Sequence, residues 1–203
     1  MRKIILCLIF ILPFISGFGQ DKKSANYFGD QIIVDSISTV LIPISYDLNS
    51  SSFKKFGFGY YANIIFYNFK TDSSKYLFNK NSFIRNFNDS YSRYNENEKS
   101  IYKNMSNNWI FYFVKEDYNN NDHIDKEDPS ILYVTDRQGD GLRPITPFNN
   151  NAVSINIFDK LGFALIKIQS DSNNDKEFDD DDEYYLLRLD LKTLILGNKI
   201  EIR

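Results

Sequence analysis

The chain has 203 residues, with 24 Lys and Arg against 27 Asp and Glu for a formal net charge of −3, a balance that argues against a nucleic-acid partner, because such binding relies on neutralising phosphates with basic side chains. One cysteine and one histidine leave no disulfide framework and no His/Cys zinc set. Tyr and Phe, 14 and 18 residues, are abundant, which favours strands over helices.

The N-terminus reads as a leader. Arg2 and Lys3 precede an apolar run, residues 4–15, that is too short to span a bilayer comfortably and is interrupted by Pro13. Ser16, Gly17 and Gly19 supply small residues, so a signal peptide over residues 1–19 is expected, with cleavage near Gly19 and Gln20. Cys7 lies inside the run, which leaves residues 20–203 without cysteine and without a lipidation site. Loss of Arg2 and Lys3 takes the net charge to about −5. No later segment approaches membrane-spanning length. The expected location is the periplasm, the cell surface or the medium.

Strand signals then recur at short spacing. They are QIIVDSI (31–37), TVLIPISYD (39–47), YYANIIFYNF (60–69), KYLF (75–78) and WIFYFV (109–114). SILYVTD (130–136), VSINIF (153–158), FALIKI (163–168), EYYLLRLDL (183–191) and KIEIR (199–203) follow. Most are β-branched and aromatic runs bounded by Gly, Asn, Asp or Ser. Several are apolar on both faces, which suits a central strand or one between stacked sheets. Residues 79–108 are polar and read as a loop, with a short helix around Glu96–Met105 as the other option. One all-β domain over 20–203 is expected.

An internal repeat organises the second half. At an offset of 54 and without a gap, residues 100–136 lie over residues 154–190, with Ser100 on Ser154, Trp109 on Phe163, Asp117 on Asp171 and Asp136 on Asp190. Each copy reads as strand, twelve-residue polar loop, strand, the two strands pairing antiparallel. A shorter relative stands at 63–78, with only a tight turn between its strands.

The loops carry the chemistry. Asp117, Asn119, Asn121, Asp125 and Asp128 stand at positions 1, 3, 5, 9 and 12 of the first; Asp171, Asn173, Asp175, Asp179 and Asp182 stand at those positions of the second. This pattern resembles the EF-hand type of calcium loop, and more closely its dockerin-like variants with Asp at position 12. Calcium takes six to eight oxygen ligands, and alternate side chains on a curled backbone supply them together. The resemblance implies backbone carbonyls from His123 and Glu177 at position 7, and one Ca²⁺ per loop, up to two in all. Ile124 and Phe178, at position 8, would pack each loop on its hairpin. Position 6, normally Gly because the backbone there has positive φ, is Asp122 in one loop and Lys176 in the other, and Lys accepts that conformation less readily than Asp. Strands flank both loops, so a constitutive structural ion is expected rather than a calcium-triggered switch.

A second resemblance starts where the first loop ends. ILYVTDRQGDGLRPITP (131–147) resembles the hairpin repeat of TolB-type β-propellers, carried by Asp136, Gly139, Gly141, Arg143, Ile145 and Thr146. EYYLLRLDLKT (183–193) is a fainter copy without the Gly turn. Together these features resemble secreted bacterial proteins with TolB-like blades. The resemblance implies antiparallel hairpin or blade repeats, as a partial propeller or an open stack, with a β-sandwich as the alternative. A closed six-bladed ring would need more chain, at about 40–45 residues per blade.

Catalysis has few candidates. The lone histidine, His123, falls in the first loop, and there is no G-x-S-x-G elbow. Trp109 is expected to pack within its strand, as its repeat partner is Phe163. The expected function is a non-enzymatic, calcium-stabilised scaffold with a protein or glycan partner. The alternative is a carboxylate-based hydrolase of glycoside hydrolase type, which would need two inward-facing carboxylates in a tyrosine-lined groove.

Overall fold

The computed structural model describes residues 26–34, 38–46, 61–87, 105–125 and 127–201. The leader, and residues 96–104 of the candidate helix Glu96–Met105, lie outside these residues. The strands are β1 (Asn26–Phe28), β2 (Ile32–Val34), β3 (Thr39–Tyr46), β4 (Tyr61–Asn68), β5 (Ser73–Tyr76), β6 (Phe83–Asn86), β7 (Trp109–Lys115), β8 (Ser130–Asp136), β9 (Arg143–Pro144), β10 (Asn150–Phe158), β11 (Phe163–Ser170), β12 (Glu183–Asp190) and β13 (Leu196–Glu201). Apart from a 3-10 turn at Asp159–Leu161, the described residues contain no helix. None is therefore long and apolar enough to cross a membrane.

The described residues are all-β and antiparallel, in two open sheets. The larger runs β1-β3-β4-β6-β7-β8-β9, with β2 also on β3 and β5 also on β4; the smaller is the meander β10-β11-β12-β13. Each apolar run singled out in the sequence overlaps a strand. Three strands carry no such run. β1 and β9 are three and two residues long, and β6 (FIRN) buries only Ile84 fully. Such short segments show no alternation. Met105, at the edge of the candidate helix, makes an isolated bridge to Ile110.

β7 shows why a run without alternation forms a strand here. Phe111 and Phe113 enter one core cluster with residues of β8 and β10–β12, which packs the two sheets against each other. Ile110, Tyr112 and Val114 point the other way, into a cluster with Leu41, Ile64, Phe66 and Ile84. Period-2 geometry sends successive side chains to opposite faces, and both faces are dry. Each fully buried aromatic stabilises the fold by about 1.5–3 kcal/mol. The Tyr112 hydroxyl, fully enclosed, shares a 2.9 Å hydrogen bond with Thr135 Oγ1, and burial raises its pKa.

Polar links also join the two sheets. Arg85 donates 2.6 Å to the Val153 carbonyl and lies 4.7 Å from the Phe113 ring centre, close to the register shift between Ala152 and Ser154. Trp109 is half-buried against the shared core, and its Nε1–H donates 2.7 Å to the Leu191 carbonyl.

The hairpin from β8 to β9 is built by Asp136, whose Oδ1 accepts the N–H groups of Gln138 and Asp140 at 2.9 and 2.8 Å. Gly139 and Gly141 take positive φ, 83° and 69°. Past the turn, Ile145 N–H reaches the Leu132 carbonyl and buried Thr146 accepts from Leu132 N–H at 2.9 Å. After β12, Asp190 repeats the device, its Oδ1 accepting from Lys192 and Thr193 N–H at 3.0 and 2.9 Å. No glycine is present there, and Leu194 carries the positive φ of 57°.

Candidate functional site

Two hairpins present the acidic loops. β7 pairs with β8 from Trp109↔Asp136 to Lys115↔Ser130, and β11 with β12 from Phe163↔Asp190 to Ser170↔Glu183. At the 54-residue offset the two registers are the same. Each loop therefore leaves its strands at the equivalent point.

The internal bonding of the loops also matches position by position. In the first, Asp117 accepts from Asn121 and Asp122 N–H, both at 3.1 Å; Asn119 accepts from Asn121 N–H at 3.1 Å; Asn121 accepts from His123 N–H at 2.8 Å. Asp125 accepts from Glu127 N–H at 3.0 Å. Asp128 spans the loop, taking Tyr118 N–H at 3.0 Å on one oxygen and Asp125 N–H at 2.9 Å on the other. In the second, Asp171 accepts from Lys176 N–H at 3.2 Å, Asn173 from Asp175 N–H at 3.0 Å, and Asp175 from Glu177 N–H at 2.9 Å. Asp179 accepts from Asp181 N–H at 3.0 Å, while Asp182 takes Ser172 and Asp179 N–H at 2.9 and 3.3 Å. Asp128 and Asp182 are buried, at 0% and 6% exposure, whereas the imidazole of His123 and the carboxylate of Glu177 lie on exposed residues.

The curl comes from backbone conformation. Positions 4 and 6 have positive φ in both loops: Asn120 at 59° and Asp122 at 62°, Asn174 at 62° and Lys176 at 68°. Lys176 thus adopts the conformation that its side chain disfavours, at a cost of about 1 kcal/mol. At position 8 Phe178 is buried and Ile124 half-buried.

Sequence spacing does not reveal that the loops touch. Tyr118, at position 2 of the first, lies 5.7 Å ring to ring from Phe178 of the second, and its hydroxyl donates to Asp171 Oδ2 at 3.4 Å. Nor does spacing reveal what lies beneath them. Lys115 is buried, and its ammonium donates to the backbone carbonyls of Asp125 (2.8 Å) and Asp128. Burial lowers its pKa to about 8, against the opposing pull of Asp128. Gln169 holds the matching place under the second loop and donates to the Asp179 carbonyl. The offset aligns Lys115 with Gln169, but their inward direction follows from strand register, which the residue pattern does not specify. Beside the first loop, half-buried Glu116 accepts from the Tyr133 hydroxyl at 3.1 Å, and burial raises its pKa.

The donor chemistry suits a hard divalent cation. Each loop gathers carboxylate and amide oxygens, no sulfur, and an exposed histidine only in the first. Among the described residues no three His, Cys, Asp or Glu side chains converge as a metal-holding group by themselves. A cation in either loop would therefore draw on Asn oxygens and the position-7 carbonyl as well. The second loop offers a more direct sign: Asp171 Oδ1 is buried and accepts no hydrogen bond. Such an oxygen is costly to leave without a partner, and a cation supplies one. No protein-family model matches the chain, and the searches of curated proteins and of solved structures return no match.

Proposed function

We propose that the chain is an exported, non-enzymatic β scaffold whose two acidic loops each hold a calcium ion, and that it works by binding or assembly with a protein or glycan partner. The hydrogen-bond set in the loops carries the reading. Five side-chain acceptors curl each loop at the same five positions, and the arrangement occurs twice in one register. Asp117, Asn119, Asn121, Asp125 and Asp128, with the His123 carbonyl, would hold one ion. Asp171, Asn173, Asp175, Asp179 and Asp182, with the Glu177 carbonyl, would hold the other. Calcium would neutralise clustered carboxylates and brace one end of the paired hairpins.

The four-stranded meander β10–β13 supports a blade-like reading, as do the side chains of Asp136 and Asp190, each of which accepts backbone N–H groups of the turn that follows its strand. We take the scaffold as blade-like hairpins in an open stack, with loops at one end as the surface where recognition resides.

A thermal melt of the purified chain in EGTA and in about 1–5 mM CaCl₂, with magnesium as control, tests the reading. Millimolar calcium on a roughly 10 µM site adds about 2.7–3.7 kcal/mol, a rise of several degrees. The double substitution Asp117→Ala/Asp171→Ala should abolish the rise. An unchanged midpoint in both metals would leave the loops as hydrated hairpin tips.

A further inference from the structure

We propose that a cleft at the far end of the two hairpins from the acidic loops binds one ring of a neutral sugar, with Trp109 as its apolar wall; this rests on the glycan half of the reading above and not on calcium. The first hairpin pairs Trp109 with Asp136 at this end, and the second pairs Phe163 with Asp190. The acidic loops leave the opposite ends of the same strand pairs. One end is thus braced, and the other is left to recognise.

Three turns and the start of β7 build the cleft, and backbone groups tie them together. Ser106 N–H donates to the Trp109 carbonyl at 2.8 Å, while the Ser106 hydroxyl accepts the N–H groups of Asn108 and Trp109 at 3.3 and 3.0 Å. Asp159 Oδ1 accepts Asn107 N–H at 3.3 Å, which joins this turn to the one between β10 and β11. Leu191 N–H reaches the Gly162 carbonyl at 3.0 Å, and the indole N–H of Trp109 ends on the Leu191 carbonyl at 2.7 Å. A site held in advance loses little freedom when a ligand enters.

The lining has two characters. Half-buried Trp109 and buried Leu191 supply the apolar part. Asn107, Asn108, Asp159 and Lys192 are exposed and bring amide donors and acceptors, a carboxylate and an ammonium to the same cleft. Its volume is about 230 Å³, below the roughly 300–1,000 Å³ of drug-sized sites, so it suits a single ring. The chemistry of that ring follows from the lining. An anion would face Asp159, a cation would face Lys192, and a wholly apolar ring would leave the polar side chains without partners. A neutral pyranose meets every part: its C–H groups suit an indole, and each of its hydroxyls both donates and accepts.

The chain has one tryptophan, so its emission reports on this cleft. Titration of the full chain in EGTA with neutral gluco-, xylo-, manno- and galacto-oligosaccharides, followed by tryptophan emission and by calorimetry, tests the site. At least one series should change the emission saturably, while inorganic phosphate and an acidic peptide should leave it unmoved. Asn108→Ala/Lys192→Ala, a double change on exposed side chains, should weaken binding by about tenfold. Trp109→Phe, which installs the residue of the equivalent position 163, should weaken it several-fold by calorimetry, and a thermal melt shows that each variant is folded. No saturable response to any of these sugars would overturn the proposal. So would a response that the folded double variant retains in full, or one that is tighter for phosphate or peptide than for sugar. Because the titration is made in EGTA, none of these outcomes bears on calcium, and a chain that takes up no calcium would still show the sugar response.

Discussion

The hydroxyl of Tyr118 donates to Oδ2 of Asp171 across 3.4 Å, so a side chain of one acidic loop reaches the first position of the other. The two residues are 53 apart in sequence, and the contact exists because equal registers in two hairpins bring equivalent loops side by side. The ring does more of the holding than the hydroxyl: at 3.4 Å the hydrogen bond is long, while the tilted contact with Phe178 is within ordinary aromatic range. Tyr118→Phe should therefore change the EGTA unfolding free energy by less than about 1 kcal/mol, and Tyr118→Ala should cost about 1–2 kcal/mol. Chemical denaturation of both variants checks this. Equal losses would assign the effect to the hydroxyl instead.

Position 6 gives a second test that needs no metal. Lys176 sits at φ 68° on an exposed loop, where a glycine meets no strain. Lys176→Gly should raise stability in EGTA by about 0.5–1 kcal/mol, the relief of strain exceeding the added entropy of the unfolded chain. The same substitution at an ordinary loop residue such as Lys192 should lower stability or leave it unchanged. A loss at Lys176 as large as at Lys192 would mean that its backbone is not strained.

Much of the fold and of the loop pattern is legible in the residues themselves. Runs such as WIFYFV declare a strand dry on both faces, and the register of Asp, Asn and apolar residues in the two loops sets which side chains gather. The rest comes from distant contacts. Phe83 and Ile84 are a short apolar pair in a polar stretch, and they become a strand because β4 and β7 flank it. Lys115 ends an apolar run and looks like a solvated strand terminus, yet pleating and the folded-back loop bury it beneath Asp125 and Asp128. Local pattern reports on a residue's own strand; the layer above it is set by residues far along the chain.

Glu116 supplies the pH test. Burial raises its pKa above the ordinary 4.5, against weaker opposing pulls from the Tyr133 hydroxyl and Lys80. A carboxyl with a raised folded-state pKa favours the fold fully below its unfolded value, and that contribution is lost as pH climbs through the folded value. Glu116→Gln keeps a carbonyl acceptor for Tyr133 and removes the charge. Its urea midpoint should exceed that of the wild type at pH 7, with the gain vanishing below about pH 4. A shift of the same size at both pH values would assign the effect to packing.

Gly139 ties the turn after β8 to the core of the larger sheet. Its φ is 83°, and a Cβ built there would stand 2.7 Å from three atoms of the Phe66 ring. Two separate penalties follow, one from the left-handed backbone and one from overlap with a ring that is 3% exposed and packed in the cluster with Tyr112 and Leu41. Strain of the first kind costs about 1 kcal/mol and overpacking of the second about 1–3 kcal/mol. Gly139→Ala should thus lose roughly 2–4 kcal/mol in a denaturant melt. Gly141→Ala, with φ 69° and open space around its Cβ, should lose only about 1 kcal/mol. The pair separates the two terms, and Phe66→Leu in the Gly139→Ala background should recover part of the larger loss by making room for the methyl group. If both glycines respond alike, the turn does not bear on Phe66, and the packing of this hairpin against β4 is looser than the distances require.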